Sequence, residues 1–287
     1  GAGGAGFPTH VKLNTNVEYF IVNAAECEPL IETDKYLCRT YAERIVATVE
    51  KIAAHLEAAH AVIALKVKYV RETEALQNAV KALGANVEIF TMRTYYPAGD
   101  EQVLVNQVTG RVVPERGLPL NVGCVVENVG TVLNIADALE GKPVDEKFLS
   151  ITGAVETPGN LLVLPKNHYL VKRAAMSVER MARQAATACL QCRACTDLCP
   201  RHLLGHNVQP HMIMRTIWRQ KSITDPAEFE RAFGSAANCS SCGTCEMFSC
   251  PMGLSPRKMN DYAKGLLRER GIQPEKNQHP QASDMLE

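Results

Sequence analysis

The stretch from Cys189 to Pro251 limits the possible folds more than any other, because it holds eight of the chain's eleven cysteines in two near-copies of one pattern. The first copy reads Cys189-x2-Cys192-x2-Cys195-x3-Cys199-Pro200. The second reads Cys239-x2-Cys242-x2-Cys245-x4-Cys250-Pro251. Three cysteines two residues apart form a tight loop whose thiolates converge on three corners of an iron–sulfur cube, and a distant fourth, followed by proline, supplies the last corner. The proline ends the local turn and removes an N–H donor from a crowded backbone. A disulfide framework belongs to oxidising compartments and small secreted domains. A zinc site uses two C-x2-C pairs or a Cys/His mixture, which leaves the third thiolate of each triplet idle. Iron–sulfur ligation uses all eight.

Where two such runs share a ferredoxin-like module, the fourth cysteine of each run serves the other cluster. One 4Fe-4S cluster then takes Cys189, Cys192, Cys195 and Cys250, and the second takes Cys239, Cys242, Cys245 and Cys199.

The 287 residues suit roughly two domains of ~100–200 residues each. Hydrophobic content of 46% and charged content of 22% are those of a soluble globular protein. Lys+Arg and Asp+Glu are both 31, so net charge gives no case for nucleic acid or an anionic membrane surface. No apolar run approaches the ~20 residues of a membrane span, and no signal peptide is recognisable. Reduced cysteine chemistry without a secretory signal points to the cytoplasm. The chain opens on Gly1 rather than Met, inside what reads as a functional loop, so the natural chain is expected to begin earlier.

That loop, Gly1-Ala2-Gly3-Gly4-Ala5-Gly6-Phe7-Pro8-Thr9-His10-Val11-Lys12, lets backbone N–H groups approach a phosphate, with Lys12 as a point charge. Gly1, Gly3 and Gly6 also fit G-x-G-x-x-G, but a dinucleotide fingerprint requires a preceding strand. The plain alternative is a flexible glycine-rich tail. Apolar, β-branched runs predict strands at 17–22, 61–65, 87–92 and 122–126, and helical periodicity predicts helices at 36–58, 72–83, 102–108 and from 128 to about 139. Gly84 reads as a helix-ending residue. This βαβαβαβα order argues an α/β domain with a mainly parallel, helix-covered sheet. Its polar motifs fall just after strands, at the edge where ligands collect: Asn23 and Glu26, then Asp100 and Glu101, then Asn128 and Thr131. Helix capping accounts for Asp100 or Asn128 taken singly. The glycine loop, three post-strand motifs and Lys12 together argue one nucleotide pocket.

The domain limits read from the sequence are 1–147 for the α/β domain, 148–170 for a connector, 171–271 for a mainly helical two-cluster domain and 272–287 for a tail. In the cluster domain a helix is expected over 171–187, and another from Pro210 carries a basic Arg215/Arg219 face. Asp225-Pro226 and Ser255-Pro256 both read as an N-cap followed by proline at the first helical position. His202, His206 and His211 follow the first cysteine run, and with the iron already fully ligated they read as solvated or capping residues. Cys38 and Cys124 read as packing residues, while Cys27 falls in the pocket.

The loop GAGGAGFPTHVKLN with NAAECEP, YPAGDE and ENVGTVLNI resembles the flavin- and NADH-binding fold shared by the complex I flavoprotein subunit and the C component of the Rnf complex. CLQCRACTDLCPRHLLGH with CSSCGTCEMFSCPMGLSP is similar to PduS-type cobalamin reductases of bacterial microcompartments, because four residues precede the last cysteine where the Rnf component usually has three. The resemblance implies FMN and NADH at Gly1, Gly3, Gly4, Gly6, Lys12, Asn23, Glu26, Asp100, Glu101, Asn128 and Thr131. It also implies electron transfer from NADH through FMN and two 4Fe-4S clusters to a corrinoid, with a corrinoid adenosyltransferase and microcompartment shell or enzymes as partners. No catalytic acid or base is needed. An Rnf-like member of a membrane complex, an enzyme reducing another microcompartment protein or a flavodoxin, and a non-catalytic iron–sulfur relay are the competing readings. Family members also carry sequence before the glycine loop, a β-grasp (SLBB) domain before the clusters and a β-rich C-terminal portion. These are expected either to be lost here or to lie outside this sequence, with residues 148–170 as the place of the SLBB domain.

Overall fold

In the computed structural model, which describes residues 8–28, 31–142 and 164–284, the chain forms two compact units. The first takes Gly1–Val113 and Leu118–Leu162, the second Pro114–Gly117 and Val163–Glu287.

The first unit is built on four parallel strands in the order β3-β2-β1-β4. These are β1 (Tyr19–Asn23), β2 (His60–Lys66), β3 (Glu88–Met92) and β4 (Cys124–Asn128). The preceding four-residue α1 spans Thr9–Lys12. Alternate residues of β1 serve opposite faces, the period-two rule for strands. Phe20 and Val22 pack with helices α3 (Ala42–His55), α4 (Val70–Leu83) and α6 (Val129–Leu139) through Ile45, Val49, Leu76 and Val132. Ile21 packs on the other face with Leu104 and Val105 of α5 (Glu101–Thr109). Phe20, Ile21 and Val22 are all fully buried, which is why β1 reads as a continuous apolar run rather than an alternating one. The chain builds outward from β1 to β3 and then returns to the other side of β1 as β4. The β1/β4 boundary is therefore the topological switch point where open α/β sheets bind ligands.

Several limits differ from the sequence expectation. The helix expected over 36–58 is two helices, α2 (Thr33–Thr40) and α3, broken at Tyr41 (φ −123°, ψ 29°). Neither glycine nor proline marks the break; Thr40 and Tyr41 are merely weak helix formers. Strands β1 and β4 start about two residues later than expected and end on Asn23 and Asn128, which stand directly opposite each other in register. Gly84 does end α4, in the left-handed conformation.

The second unit contains no strand among the described residues. Its helices are α7 (Tyr169–Ala174), α8 (Val178–Ala188), α9 (Ala194–Asp197), α10 (Pro200–Leu203), α11 (Pro210–Thr216), α12 (Pro226–Phe233) and α13 (Pro256–Glu269). The helix expected over 171–187 is split because the Ser177 hydroxyl accepts from the Arg180 N–H and caps a new start. Asp225 caps α12 by accepting from Glu228 N–H at 2.8 Å. Ser255 departs from expectation: its side chain makes no cap bond, and α13 opens on Pro256 alone. The core gathers Ile213, Met214, Phe229, Phe233, Met259 and Ala263, with the rings of Phe229 and Phe233 4.6 Å apart. The expected connector lies outside the described residues as far as 163.

Candidate functional site

At the carboxyl edge of the sheet lie Asn23 and Glu26 at and just after the end of β1, Asp100 and Glu101 where the segment after β3 meets α5, Asn128 at the end of β4 with Thr131 in α6, and Lys12 in α1; Gly1, Gly3, Gly4 and Gly6 lie outside the described residues. Asn23, last in β1, donates its amide to Gly99 O at 2.9 Å and accepts from Ala25 N–H at 3.0 Å. Gly99 N–H in turn donates to Cys27 Sγ at 2.9 Å. A Cβ on Gly99 would stand 3.1 Å from that sulfur, so the close approach requires glycine. Glu26 has φ 25° and accepts from the Asp34 and Lys35 N–H groups, holding the start of α2. Buried Lys66 donates to Glu26 O at 3.3 Å.

Asp100 and Asn128 are both helix caps. Asp100 accepts from Gln102 and Val103 N–H at the start of α5, and Asn128 accepts from Gly130 N–H at the start of α6. Two helix N-termini, with their outward N–H groups and partial positive charge, thus open at one sheet edge. Thr131 is buried one turn into α6. Lys12 donates to Val126 O at 2.9 Å and to Glu101 at 3.3 Å, so the expected point charge is already balanced by a carboxylate.

Two residues at this edge escaped sequence reasoning. Asn128 donates its amide to Asp34 at 2.9 Å, a contact across 94 residues that no local pattern announces. Burial, with Glu26 and Glu28 nearby, pushes the Asp34 carboxyl up to about 6 although the Asn128 bond opposes the shift. Glu127 opens the motif that supplied Asn128 and Thr131, and that position was the available signal. It is buried, one carboxylate oxygen has no hydrogen-bond partner among the described residues, and burial raises its pKa against the pull of Lys12. A buried oxygen left without a partner is costly unless a ligand supplies one. That orphaned oxygen beside two helix N-termini suits a phosphate- and amide-bearing cofactor such as FMN.

The cysteines of the second unit form two groups, all of them free thiols. Cys189, Cys192, Cys195 and Cys250 line one cavity with Leu190, His211, Met214 and Leu254. Cys195 interacts electrostatically with Cys189, Cys250 and Cys192, and Cys245 with Cys239, Cys199 and Cys242. Each triplet thus meets the fourth cysteine of the other run. The two loops repeat one backbone: Gln191 and Arg193 have φ 56° and 66°, while the matching Ser241 and Gly243 have 60° and 86°. Left-handed residues at the third and fifth positions curl each loop around its thiols. The unequal spacing is absorbed locally. Three residues between Cys195 and Cys199 include the end of α9, whereas four between Cys245 and Cys250 form a π-helical turn, Cys245–Ser249. One inserted residue in a helical turn produces that wider hydrogen-bonding pattern.

Burial pushes the Cys195 and Cys199 thiols up to about 12 and raises Cys239 and Cys245 as well. Clustered buried thiolates repel one another, so a cationic inorganic core among them is what would make the ionised form stable. Among the described residues no three Cys, His, Asp or Glu side chains converge on a point as the ligands of one ion would. Four thiols around a cavity suit a polynuclear group instead. His211 contacts the Thr196 hydroxyl through Nδ1 at 2.7 Å. Cys38 and Cys124 are buried packing residues, and Cys27 is half-buried at the sheet edge.

The Complex1_51K family, the Nuo51 FMN-binding domain, matches residues 1–137, and the Fer4_17 family, a 4Fe-4S dicluster domain, matches residues 188–255. Together with the parallel sheet and the paired thiol groups, these define a flavin- and iron–sulfur-dependent electron-transfer oxidoreductase that uses FMN, two 4Fe-4S clusters and NADH. The cobalamin reductase PduS of Citrobacter freundii is 38% identical over 319 residues, covering 93% of this chain and 69% of that protein. PduS of Salmonella typhimurium matches with the same identity and coverage. The chain belongs to the PduS cobalamin reductase family. The C component of the proton-translocating ferredoxin:NAD(+) oxidoreductase complex of Clostridium ljungdahlii is 40% identical over 169 residues, covering 57% of this chain and 36% of that protein. The PduS alignments are longer than the whole chain of 287 residues, so those relatives carry residues within the matched span that have no counterpart here. Among the described residues no helix is long and apolar enough to cross a membrane.

Proposed function

We propose that the chain passes electrons from NADH to a corrinoid, as a cobalamin reductase of a 1,2-propanediol-type microcompartment, with a corrinoid adenosyltransferase as the consumer of the reduced product. The observation that carries this is the pairing of a switch-point pocket in one unit with two crossed thiol groups in the other. FMN accepts electron pairs and releases them singly, and clusters accept them one at a time.

The chain's own residues position and insulate those groups. Gly1, Gly3, Gly4 and Gly6 supply backbone N–H groups to the flavin phosphate. Asn23, Glu26, Asp100, Glu101, Asn128 and Thr131 surround flavin and nicotinamide. Lys12 compensates charge there and holds Glu101. Asn23 and Cys27 clamp Gly99 so that the backbone after β3 stays close to β1. Cys189, Cys192, Cys195 and Cys250 ligate one cluster; Cys239, Cys242, Cys245 and Cys199 ligate the other. The α/β domain ends near 147, the cluster domain spans 171–271, and residues 148–170 stand where the relatives' extra residues would be inserted. Support for the corrinoid as acceptor is the similarity to PduS along nearly the whole chain.

The test is anaerobic purification of the natural full-length protein, assay of flavin and iron, and measurement of NADH-driven reduction of cob(III)alamin. The reading requires about one flavin and about eight irons per chain and a reduction rate that vanishes without NADH. Full cofactor content with a corrinoid that stays oxidised would instead favour a role like that of the relatives in ion-translocating complexes.

A further inference from the structure

The two thiol groups differ in what surrounds them. Around the first, the surface is apolar and basic. Cys192 is exposed, Leu190 is 66% exposed, and Met252 and Pro251 lie open beside them on the same cavity wall. Exposed apolar side chains standing together mark contact surfaces. His211 lines the same cavity, and it interacts with Arg193, Asp197, His202 and Arg215. Exposed Trp218 and Arg219 follow along the chain from α11. From Cys189 to Lys221 the sequence holds Arg193, Arg201, Arg215, Arg219 and Lys221 against one carboxylate, Asp197, which Arg193 engages at 3.3 Å. The chain as a whole is neutral, so this excess is local.

The second group is set in a more polar loop, with exposed Met247 and Phe248 in the turn that follows Cys245. Its loop carries Ser240, Ser241, Gly243 and Thr244 where the first carries Leu190, Gln191, Arg193 and Ala194. Arg257, whose side chain lies against Gly243, is paired with Glu246 at 3.1 Å and Asp261 at 3.3 Å, and Lys264 donates to Cys239 O at 2.6 Å.

We infer that the face around Leu190, Cys192 and Met252, rimmed by Arg193, His211 and Arg215, is the docking surface for an acidic electron-carrier protein, which takes electrons at the first thiol group. This rests on the assignment of the cysteines to clusters. Opposite charge at the rim orients and accelerates the encounter, and the apolar centre excludes water where the partners meet. The transfer moves one electron from a reduced cluster to the oxidised carrier, with no bond made or broken. Cys192 is exposed and brings the first group to the surface although Cys195 is buried, whereas the second group has Cys239 and Cys242 half-buried and Cys199 and Cys245 buried.

The test uses the holoprotein and purified flavodoxin, a small acidic one-electron carrier, with affinity measured by calorimetry at low and at physiological salt. The expected result is binding that weakens about ten-fold or more across that salt range. Arg215→Glu and Arg193→Gln should each weaken it several-fold at low salt, and Arg268→Glu, on exposed α13 surface, should leave it unchanged. Iron content and cluster absorbance are recorded for each variant. Iron-free wild-type protein would break the cluster assignment, whereas the affinities test the docking face by themselves. Failure to bind flavodoxin, or binding indifferent to salt and to Arg215→Glu, overturns the proposal.

Discussion

The two units hold their sites in opposite ways. In the α/β unit the side chains at the pocket mostly satisfy one another. Asn23 is bonded to Gly99, Glu26 to the start of α2, Asp100 and Asn128 to their own helices, and Lys12 to Glu101. Behind them stands a sheet packed on both faces. In the cluster unit the groups at the site are thiols, of which Cys195, Cys199, Cys239 and Cys245 have pKa values raised by burial, and they are backed by one helical core. The described side chains of the first site are held by one another, whereas the clustered thiols of the second await a group to hold them together. Metal binding to such a thiol set is therefore part of folding, and flavin binding is chiefly occupancy.

The widest contrast should come from removing the cofactors. Chelation of iron is expected to cost the cluster unit several kcal/mol, read as loss of amide protection across 178–269 in hydrogen exchange. Stripping FMN should leave amides of β1, β2 and β4 protected. Equal collapse of both units on either treatment would erase the distinction. Next in size is the crossing of the fourth cysteines. Cys199→Ser should lose about half of the roughly eight irons and expose Cys239, Cys242 and Cys245 to alkylation, while Cys189, Cys192 and Cys195 stay protected. Cys250→Ser should do the reverse. Alkylation of the same run as the mutated cysteine would show that the runs are uncrossed.

Asp34 gives a smaller effect in the α/β unit. Its folded pKa of about 6 stands above the ordinary aspartate value of 3.8, so the folded state holds the proton more tightly than the unfolded. Stability from this group is therefore greatest at low pH and falls as pH rises from about 4 to about 6. Asp34→Asn keeps an oxygen for the Asn128 amide and should stabilise the protein by about 1–2 kcal/mol at pH 7 and by less at pH 5, measured by urea titration at both. A gain that is larger at pH 5 would contradict the assigned direction. The smallest change concerns the π-helical turn. Deleting Phe248, which is 69% exposed, restores three residues between Cys245 and Cys250. It should preserve iron and alter stability by about 1 kcal/mol or less. Loss of the second cluster would mean that the wider turn is required rather than accommodated.

The two sites were also unequally legible. The thiol triplets were readable because a C-x2-C-x2-C loop encodes its geometry within seven residues, and the alternation of strands and helices was readable because each strand's burial is written in its own apolar run. The break at Tyr41 was not, since neither residue there forbids a helix. Ser255 has the composition of a cap without the contact. At the pocket, Asn23, Asp100 and Asn128 stood out as post-strand polar residues, yet their bonds to Gly99, to helix N-termini and to Asp34 did not.

What the chain determined locally, then, is the set of loops, the thiol triplets and the succession of strands and helices, because those depend on neighbours a few residues away. Which strands flank the switch point and the contact of Asp34 with Asn128 were decided by packing, and packing also realises the crossed grouping of cysteines that the paired motif announced. Such contacts join residues separated by tens of positions, and only burial of the two cores brings them within reach.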